Sequence, residues 1–350
     1  MGRGFGGASF DVLLAGYFGF GNLGDELLAR SAVERLSDMG ISPGRVAMLS
    51  GDPGASEASF GVRAFDRWGA RSVSEALDMS RSLLLAGGGL FQDSTSVRSC
   101  VYYWGLARMA GWKSRPVWAL GQSVGPLSSR LSRYLARDAL SRCEYLAVRD
   151  AASSGALDVM GVPHEIMPDM VLALPVPEVS APNSNVVLVN IRPCAGGAES
   201  GLSVAKAACA CRAAGMELAY VAMSREDELE MKKFQGAGDL PGGDVTAVGS
   251  LDEFVSEARR ARAAIGMRLH FGILSVLAGL AVALSPYDPK VACFARDWGV
   301  KLLNSDDARE RFDVTRLLTN SHFQDKRKRE SAAALVASHF DAGARCVLGE

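Results

Sequence analysis

The sequence predicts an α/β protein built from two parallel-sheet domains with a cleft between them. Three observations lead there. Short apolar, β-rich runs alternate with helical patterns along the chain; a proline-rich stretch interrupts that alternation once and it then restarts; and glycine or polar residues follow many of the runs.

Bulk properties set the bounds. A chain of 350 residues, 48% hydrophobic and 22% charged, can bury one large core or two ordinary ones. A net charge of −1 gives no basic field for nucleic acid. The seven cysteines include no C-x-x-C pair, and Cys209 and Cys211, two apart, suit neither a zinc knuckle nor a redox pair. Reduced thiols in the cytoplasm are the plain reading, and no metal or cofactor is expected. The first apolar run, Val12–Ala15, follows Asp11 and lacks the length and basic flank of a secretory signal. The apolar stretch Phe271–Leu284 falls short of the roughly 20 residues a bilayer span needs. It divides instead into a helix (Phe271–Leu280) and a strand (Ala281–Ser285), so a soluble protein is expected.

In the first half the apolar runs are DVLLAG, RVAMLSGD, SLLLAGGG, PVWALGQS and EYLAVRD, with helices at Glu26–Leu36, Tyr102–Ala110 and Leu131–Leu140 among those between them. Strands alternating with helices of this length imply parallel β-α-β units. Pro175–Asn185 then holds three prolines and four serine or asparagine residues without periodicity, the composition of a linker. After it come NVVLVNI, a helix near Ser203–Ala214, ELAYVAM, VTAVG, ARAAIG and LAVALS. The expected domains are residues 1–178 and 179–350, with the last helix allowed to return onto the first domain. The charge run DKRKRE, Asp325–Glu330, reads as a solvated helix face, with contact to an anionic membrane surface left open.

Ligands of open α/β sheets collect at the carboxyl ends of the strands. After the first run, Gly19, Gly21 and Gly24 give the G-x-G-x-x-G spacing of a dinucleotide turn. That turn sets a pyrophosphate against a helix N-terminus, yet Asp25 and Glu26 occupy this one. About 3 kcal/mol of charge repulsion would cancel two orders of magnitude in affinity, so NAD is not expected. A P-loop is excluded because no G-K-[ST] follows. The same carboxylates also serve as ordinary dipole-stabilising residues. A neutral, hydroxyl-rich ligand suits Gly21, Asn22, Gly24 and Asp25, because carboxylates and amides bond hydroxyls and glycine permits close approach.

Two further loops extend this polar but non-basic face. Gly87, Gly88 and Gly89 are expected after the third run, followed by Gln92, Asp93, Ser94 and Thr95; Gln122 and Ser123 are expected after the fourth. Each alone reads equally as a tight turn or a helix cap. Together they suggest a carbohydrate-binding edge. In the second domain Arg192 closes one run, and Arg268, Leu269 and His270 close another just before an apolar helix. The arginines suit carboxylate or phosphate oxygens, and His270 is either a structural histidine or an acid. A sugar-like face opposite an anion-and-acid face describes a transferase with an anionic donor.

The stretches GYFGFGNLGDE, AGGGLFQDSTSVRS, GQSVGP, VRD (Val148–Asp150), PD (Pro168–Asp169), GMRLH and SPYDPKV, running from Gly16 to Val291, resemble the polysaccharide pyruvyl transferases, and among them the CsaB-like enzymes of bacterial cell-wall polymers. The resemblance implies a glycosyltransferase-B-like pair of Rossmann-like domains, the first binding the acceptor and the second the donor. It implies transfer of a pyruvyl group from phosphoenolpyruvate, a co-substrate, onto two hydroxyls of a cell-wall sugar, with N-acetylmannosamine expected, forming a cyclic ketal that helps anchor S-layer proteins. The family's R-L-H motif, taken to bind phosphoenolpyruvate, falls on Arg268, Leu269 and His270, and its strand-end arginine, also expected to bind the donor, on Arg192. Where members carry an aromatic after the Arg-Pro pair, Cys194 stands here, which leaves the sugar undetermined. Arg268, His270 and a carboxylate such as Asp25 or Asp93 are the expected reacting groups. A lipid-linked acceptor at the inner face of the membrane and a homo-oligomer stay open. The competing readings are a nucleotide-sugar glycosyltransferase of the same architecture and a non-catalytic carbohydrate-binding protein.

Overall fold

The computed structural model describes residues 8–94, 96–179, 181, 183–194, 198–303, 313–319 and 326–349. Thr95, Ser180, Pro182 and Asp325, which belong to segments singled out from the sequence, lie outside the described residues. The chain divides into two units. One comprises Met1–Phe20, Asp25–Leu174 and Glu330–Glu350; the other comprises Gly21–Gly24 and Pro175–Arg329.

The first unit holds a seven-stranded parallel sheet: β1 (Phe10–Ala15), β2 (Val46–Ser50), β3 (Arg63–Asp66), β4 (Ser80–Phe91), β5 (Val117–Val124), β6 (Cys143–Val148) and β7 (Glu165–Ile166), in the order β3-β2-β1-β4-β5-β6-β7. Every residue of β1 and β2 is buried, because helices cover both faces of a parallel sheet, and this produces continuous apolar runs in the sequence. The second unit has six parallel strands: β8 (Val186–Asn190), β9 (Glu217–Ala222), β10 (Val245–Ala247), β11 (Ala263–Gly266), β12 (Ala281–Leu284) and β13 (Lys301–Leu302), in the order β10-β9-β8-β11-β12-β13. In each sheet the first strand lies between the second and the fourth. The winding therefore reverses between β1 and β4, and again between β8 and β11. A crevice opens at the carboxyl ends of such switch points. The loop after β1 and the glycines of β4 flank the first switch point; Arg192 and Arg268–His270 flank the second.

Two expectations about strand ends need correction. Gly87, Gly88 and Gly89 lie inside β4, and Gln122 and Ser123 lie inside β5. The ladder continues beyond the apolar runs, with Gly88 opposite Gln122 and Phe91 opposite Val124. Gly87 has φ of +70°, and a Cβ there would lie 2.7 Å from Met170 Cε and 2.9 Å from Leu28, so close packing requires glycine within the strand. The apolar stretch before β12 is helical over Leu269–Leu277. From Glu330 onward the final helix, Lys326–Leu348, belongs to the first unit, where Gly343 lets it approach the Trp118 ring and Phe340 meets Trp118 edge-on at 6.4 Å. Among the described residues no helix is long and apolar enough to cross a membrane.

Candidate active site

In the first unit, the loop after β1 is closed by one of its own carboxylates. Glu26 Oε1 accepts the Gly19 N–H at 2.8 Å, which positive φ at Gly19 turns toward it. Glu26 is thus a loop-holding residue. Asp25, beside it in the first turn of the helix Leu23–Asp38, lies over β4, where a Cβ on Gly88 would sit 3.4 Å from Asp25 Oδ1. Burial pushes the Tyr103 phenol up, and the charges of Tyr102 and Asp25 add to that effect against the pull of Arg67. Asp25 is therefore a carboxylate at the switch point, beside a glycine that leaves room in front of it.

The other polar residues expected on this face are bonded to neighbouring protein groups. Asp93 accepts the Ser128 N–H at 2.8 Å, the Ser129 N–H at 2.9 Å and the Ser128 hydroxyl at 3.0 Å. Desolvation pushes its carboxyl up, but these bonds and the Ser132 hydroxyl outweigh it and hold the carboxyl down at about 2. So weak a base suits a loop clamp better than proton abstraction. Gln92 Oε1 accepts the Ser94 N–H at 2.9 Å. Gln122 is fully buried and donates to the Leu85 carbonyl at 2.8 Å, while its Oε1 is buried without a protein partner. Next to it a buried network joins the VRD and PD stretches: Arg149 donates from Nε to Ser123 Oγ at 2.7 Å and pairs with Asp169 at 2.5 Å, and Ser123 donates to Asp150 at 2.9 Å.

In the second unit, Arg268 caps the apolar helix Leu269–Leu277 at its start. The sequence suggests that its fork grips a ligand anion. In the structure the fork grips Asp227, with Nε–Oδ2 and Nη2–Oδ1 both 2.6 Å, and Nη2 also donates to Ser224 Oγ at 2.7 Å. Asp227 is fully buried and takes a third bond from Asn190 Nδ2 at 3.1 Å, at the end of β8. Sequence reasoning missed Asp227 because it sits in the acidic run Glu226–Glu228, which looks like a solvated helix start. The Ser224-x-x-Asp227 spacing was the available signal.

Residues Gly21–Gly24 dock on this arrangement. Arg268 Nη1 donates to Asn22 Oδ1 at 3.3 Å, the Leu23 N–H donates to the Met223 carbonyl at 3.0 Å, and Gly24 lies against His270, where a Cβ would come within 2.2 Å of Nδ1. Leu269, expected among the donor-binding residues, is buried. Arg192 is held by the Tyr287 hydroxyl at 3.1 Å, with its guanidinium 5.2 Å from the Tyr287 ring centroid. The Ser224 hydroxyl leads in lowering the Glu226 carboxyl, and the charges of Arg268 and Arg192 add to it.

A model of the family described as polysaccharide pyruvyl transferase matches residues 22–289. The chain belongs to the polysaccharide pyruvyl transferase family. It is accordingly a transferase, and the match includes Asn22, Asp25, Arg192, Asp227, Arg268 and His270. No curated protein matches the chain. Among solved structures it is similar to sucrose-phosphate synthase from Thermosynechococcus elongatus (14% identity, 97% of this chain and 99% of that one, TM-score 0.60). It is also similar to a glycosyltransferase from Rickettsia africae ESF-5 (9%, 98% and 100%, 0.56) and to UDP-GlcNAc 2-epimerase from Neisseria meningitidis bound to UDP-GlcNAc (11%, 97% and 100%, 0.54). Identities this low carry the fold alone, which is the two-domain α/β fold of glycosyltransferase-B enzymes.

Proposed function

We propose that this pyruvyl transferase takes its pyruvyl group from phosphoenolpyruvate and sets it on two hydroxyls of one cell-wall sugar, N-acetylmannosamine in the expected case, as a cyclic ketal. The observation that carries this reading is the meeting of Asn22 and Gly24 with Arg268 and His270 in one packed group at the second switch point.

Chemistry assigns the roles. A proton added to the methylene carbon of phosphoenolpyruvate makes it a methyl and leaves an oxocarbenium-like centre. One sugar hydroxyl attacks that centre and gives up its proton. The carbon–oxygen bond to phosphate then breaks, with the electron pair leaving on phosphate, and the second hydroxyl closes the ketal as its proton is lost. This sequence needs an acid, cations for the carboxylate and phosphate, and a base, but no metal or redox cofactor. His270 is the acid or the phosphate ligand, Arg192 a cation for the anion, and Asp25 the base. Arg268, its fork committed to Asp227, holds Asn22 in place. Gln92, Asp93 and the buried Gln122, each bonded to its protein neighbours, shape the acceptor edge.

Phosphate release from phosphoenolpyruvate, measured with and without a saccharide ending in N-acetylmannosamine, tests the reading. Saccharide-dependent release supports it. Release with a nucleotide sugar as the only donor, and none with phosphoenolpyruvate, overturns it.

A further inference from the structure

At the carboxyl ends of β1, β2 and β3 the first unit carries a set of aromatic rings that no step above uses. Tyr17 is 46% exposed and Trp68 66% exposed. Tyr17 stacks on Phe20 with centroids 4.2 Å apart and planes 18° apart, and Phe20 meets Trp68 edge-on at 6.2 Å. Single exposed rings are ordinary on a protein surface, whereas grouped rings mark a binding face. Phe20 is seated over Gly51, just beyond β2, where a Cβ would lie 2.7 Å from its Cζ.

Beneath the rings lies Arg67, only 3% exposed. Its guanidinium carbon is 4.6 Å from the Tyr102 centroid and between 5.2 and 5.7 Å from those of Tyr17, Phe20, Trp68 and Tyr103. Its donors go to the Gly16 carbonyl at 2.6 Å and the Tyr103 hydroxyl at 3.1 Å, and among the described residues no carboxylate pairs with it. Burying a cation in this way is costly, and packing alone would be served better by an aliphatic side chain. What Arg67 supplies is orientation: one planar cation fixes five rings and the end of β1 together. Tyr103, which accepts from Arg67, also feels the charge of Asp25. The rings and the candidate base therefore share one neighbourhood.

We propose that Tyr17, Phe20 and Trp68 form a rigid stacking platform for a pyranose ring of the saccharide acceptor. A pyranose has an apolar C–H face and hydroxyls at its rim. Aromatic rings take the face, and the rim is left to Asp25 and the glycine loop. Only the word acceptor rests on the proposed function; binding of the sugar does not.

Two measurements decide it. The first is tryptophan emission during titration with the methyl glycoside of N-acetylmannosamine. The wild type is expected to respond, and Trp68→Ala to lose both the response and, by equilibrium dialysis, the binding. Undiminished binding in Trp68→Ala overturns the platform even if no pyruvyl transfer is found. The second is the steady state: Trp68→Ala and Tyr17→Ala are each expected to raise the acceptor KM about tenfold, the equivalent of one stacking contact, with the phosphoenolpyruvate KM unchanged. An unchanged acceptor KM in both variants, or a change of mass in sedimentation in place of a change in sugar binding, contradicts the proposal.

Discussion

Arg268 and Asp227 form a buried, two-point ion pair, with both nitrogen–oxygen distances 2.6 Å, and it joins the starts of two helices that follow β9 and β11. Removing one partner of such a pair strands the other charge in the interior, at a cost of about 3 kcal/mol. Asp227→Ala is therefore expected to lose about that much stability in urea unfolding. Asp227→Asn, which keeps one acceptor, should lose less. An alanine variant as stable as the wild type would show that the pair contributes nothing net.

Gly24 and His270 offer a test of sign. Glycine-to-alanine inside a helix ordinarily stabilises by about 1 kcal/mol. Gly105, in the helix Arg98–Trp112, has nothing within 4 Å of the place a Cβ would take, so it should follow that rule and raise Tm when changed to alanine. At Gly24 the added methyl would meet His270 Nδ1 at 2.2 Å and displace the ring. Gly24→Ala is expected to fold and to lose at least about tenfold in kcat/KM, the scale of one misplaced catalytic group. Wild-type turnover in Gly24→Ala would remove His270 from the reaction.

The sequence made the architecture legible because burial on both faces leaves unbroken apolar runs, such as Val12–Ala15 and Val186–Val189. It hid β3, β7 and β13, which are only two to four residues long, with every residue of β7 exposed. It also hid the last third of β4, where glycines required for close packing look like a turn. At the site, Arg268 and His270 were visible as polar residues at a strand end. Asp227 was not, because its partner lies 41 positions away and only the Ser224-x-x-Asp227 spacing sets it apart from its acidic neighbours. Arg67 was invisible for the same reason: its ring cage assembles from residues 17 to 103.

Asp93 links the loop after β4 to Ser128 and Ser129, and its pKa gives that link a pH dependence. The carboxyl titrates at about 2 in the folded protein against an ordinary 3.8. Its stabilising contribution is therefore complete above about pH 4 and disappears as the pH falls from there toward 2. Asp93→Asn should lower Tm at neutral pH, and the gap from wild type should close over that acid interval. A gap that is constant down to pH 2 would show that charge has no part in the clamp.

The G-x-G-x-x-G loop should bind neither NAD nor NADP. Glu26 already accepts the Gly19 N–H, and Asp25 shares the helix start where a pyrophosphate would lie. Isothermal calorimetry should register no heat for either dinucleotide up to millimolar concentration. A micromolar dissociation constant would contradict this reading of the loop.

Transfer of the pyruvyl carbon skeleton is tested most directly by running the reaction in deuterium oxide with phosphoenolpyruvate and a saccharide ending in N-acetylmannosamine, then analysing the saccharide by mass spectrometry and NMR. Protonation of the methylene carbon followed by ketal closure predicts a saccharide bearing one pyruvyl group on two of its oxygens, with a single deuteron in the new methyl. A saccharide that gains a phosphate or a second sugar, or a pyruvyl methyl without solvent deuterium, would contradict the mechanism.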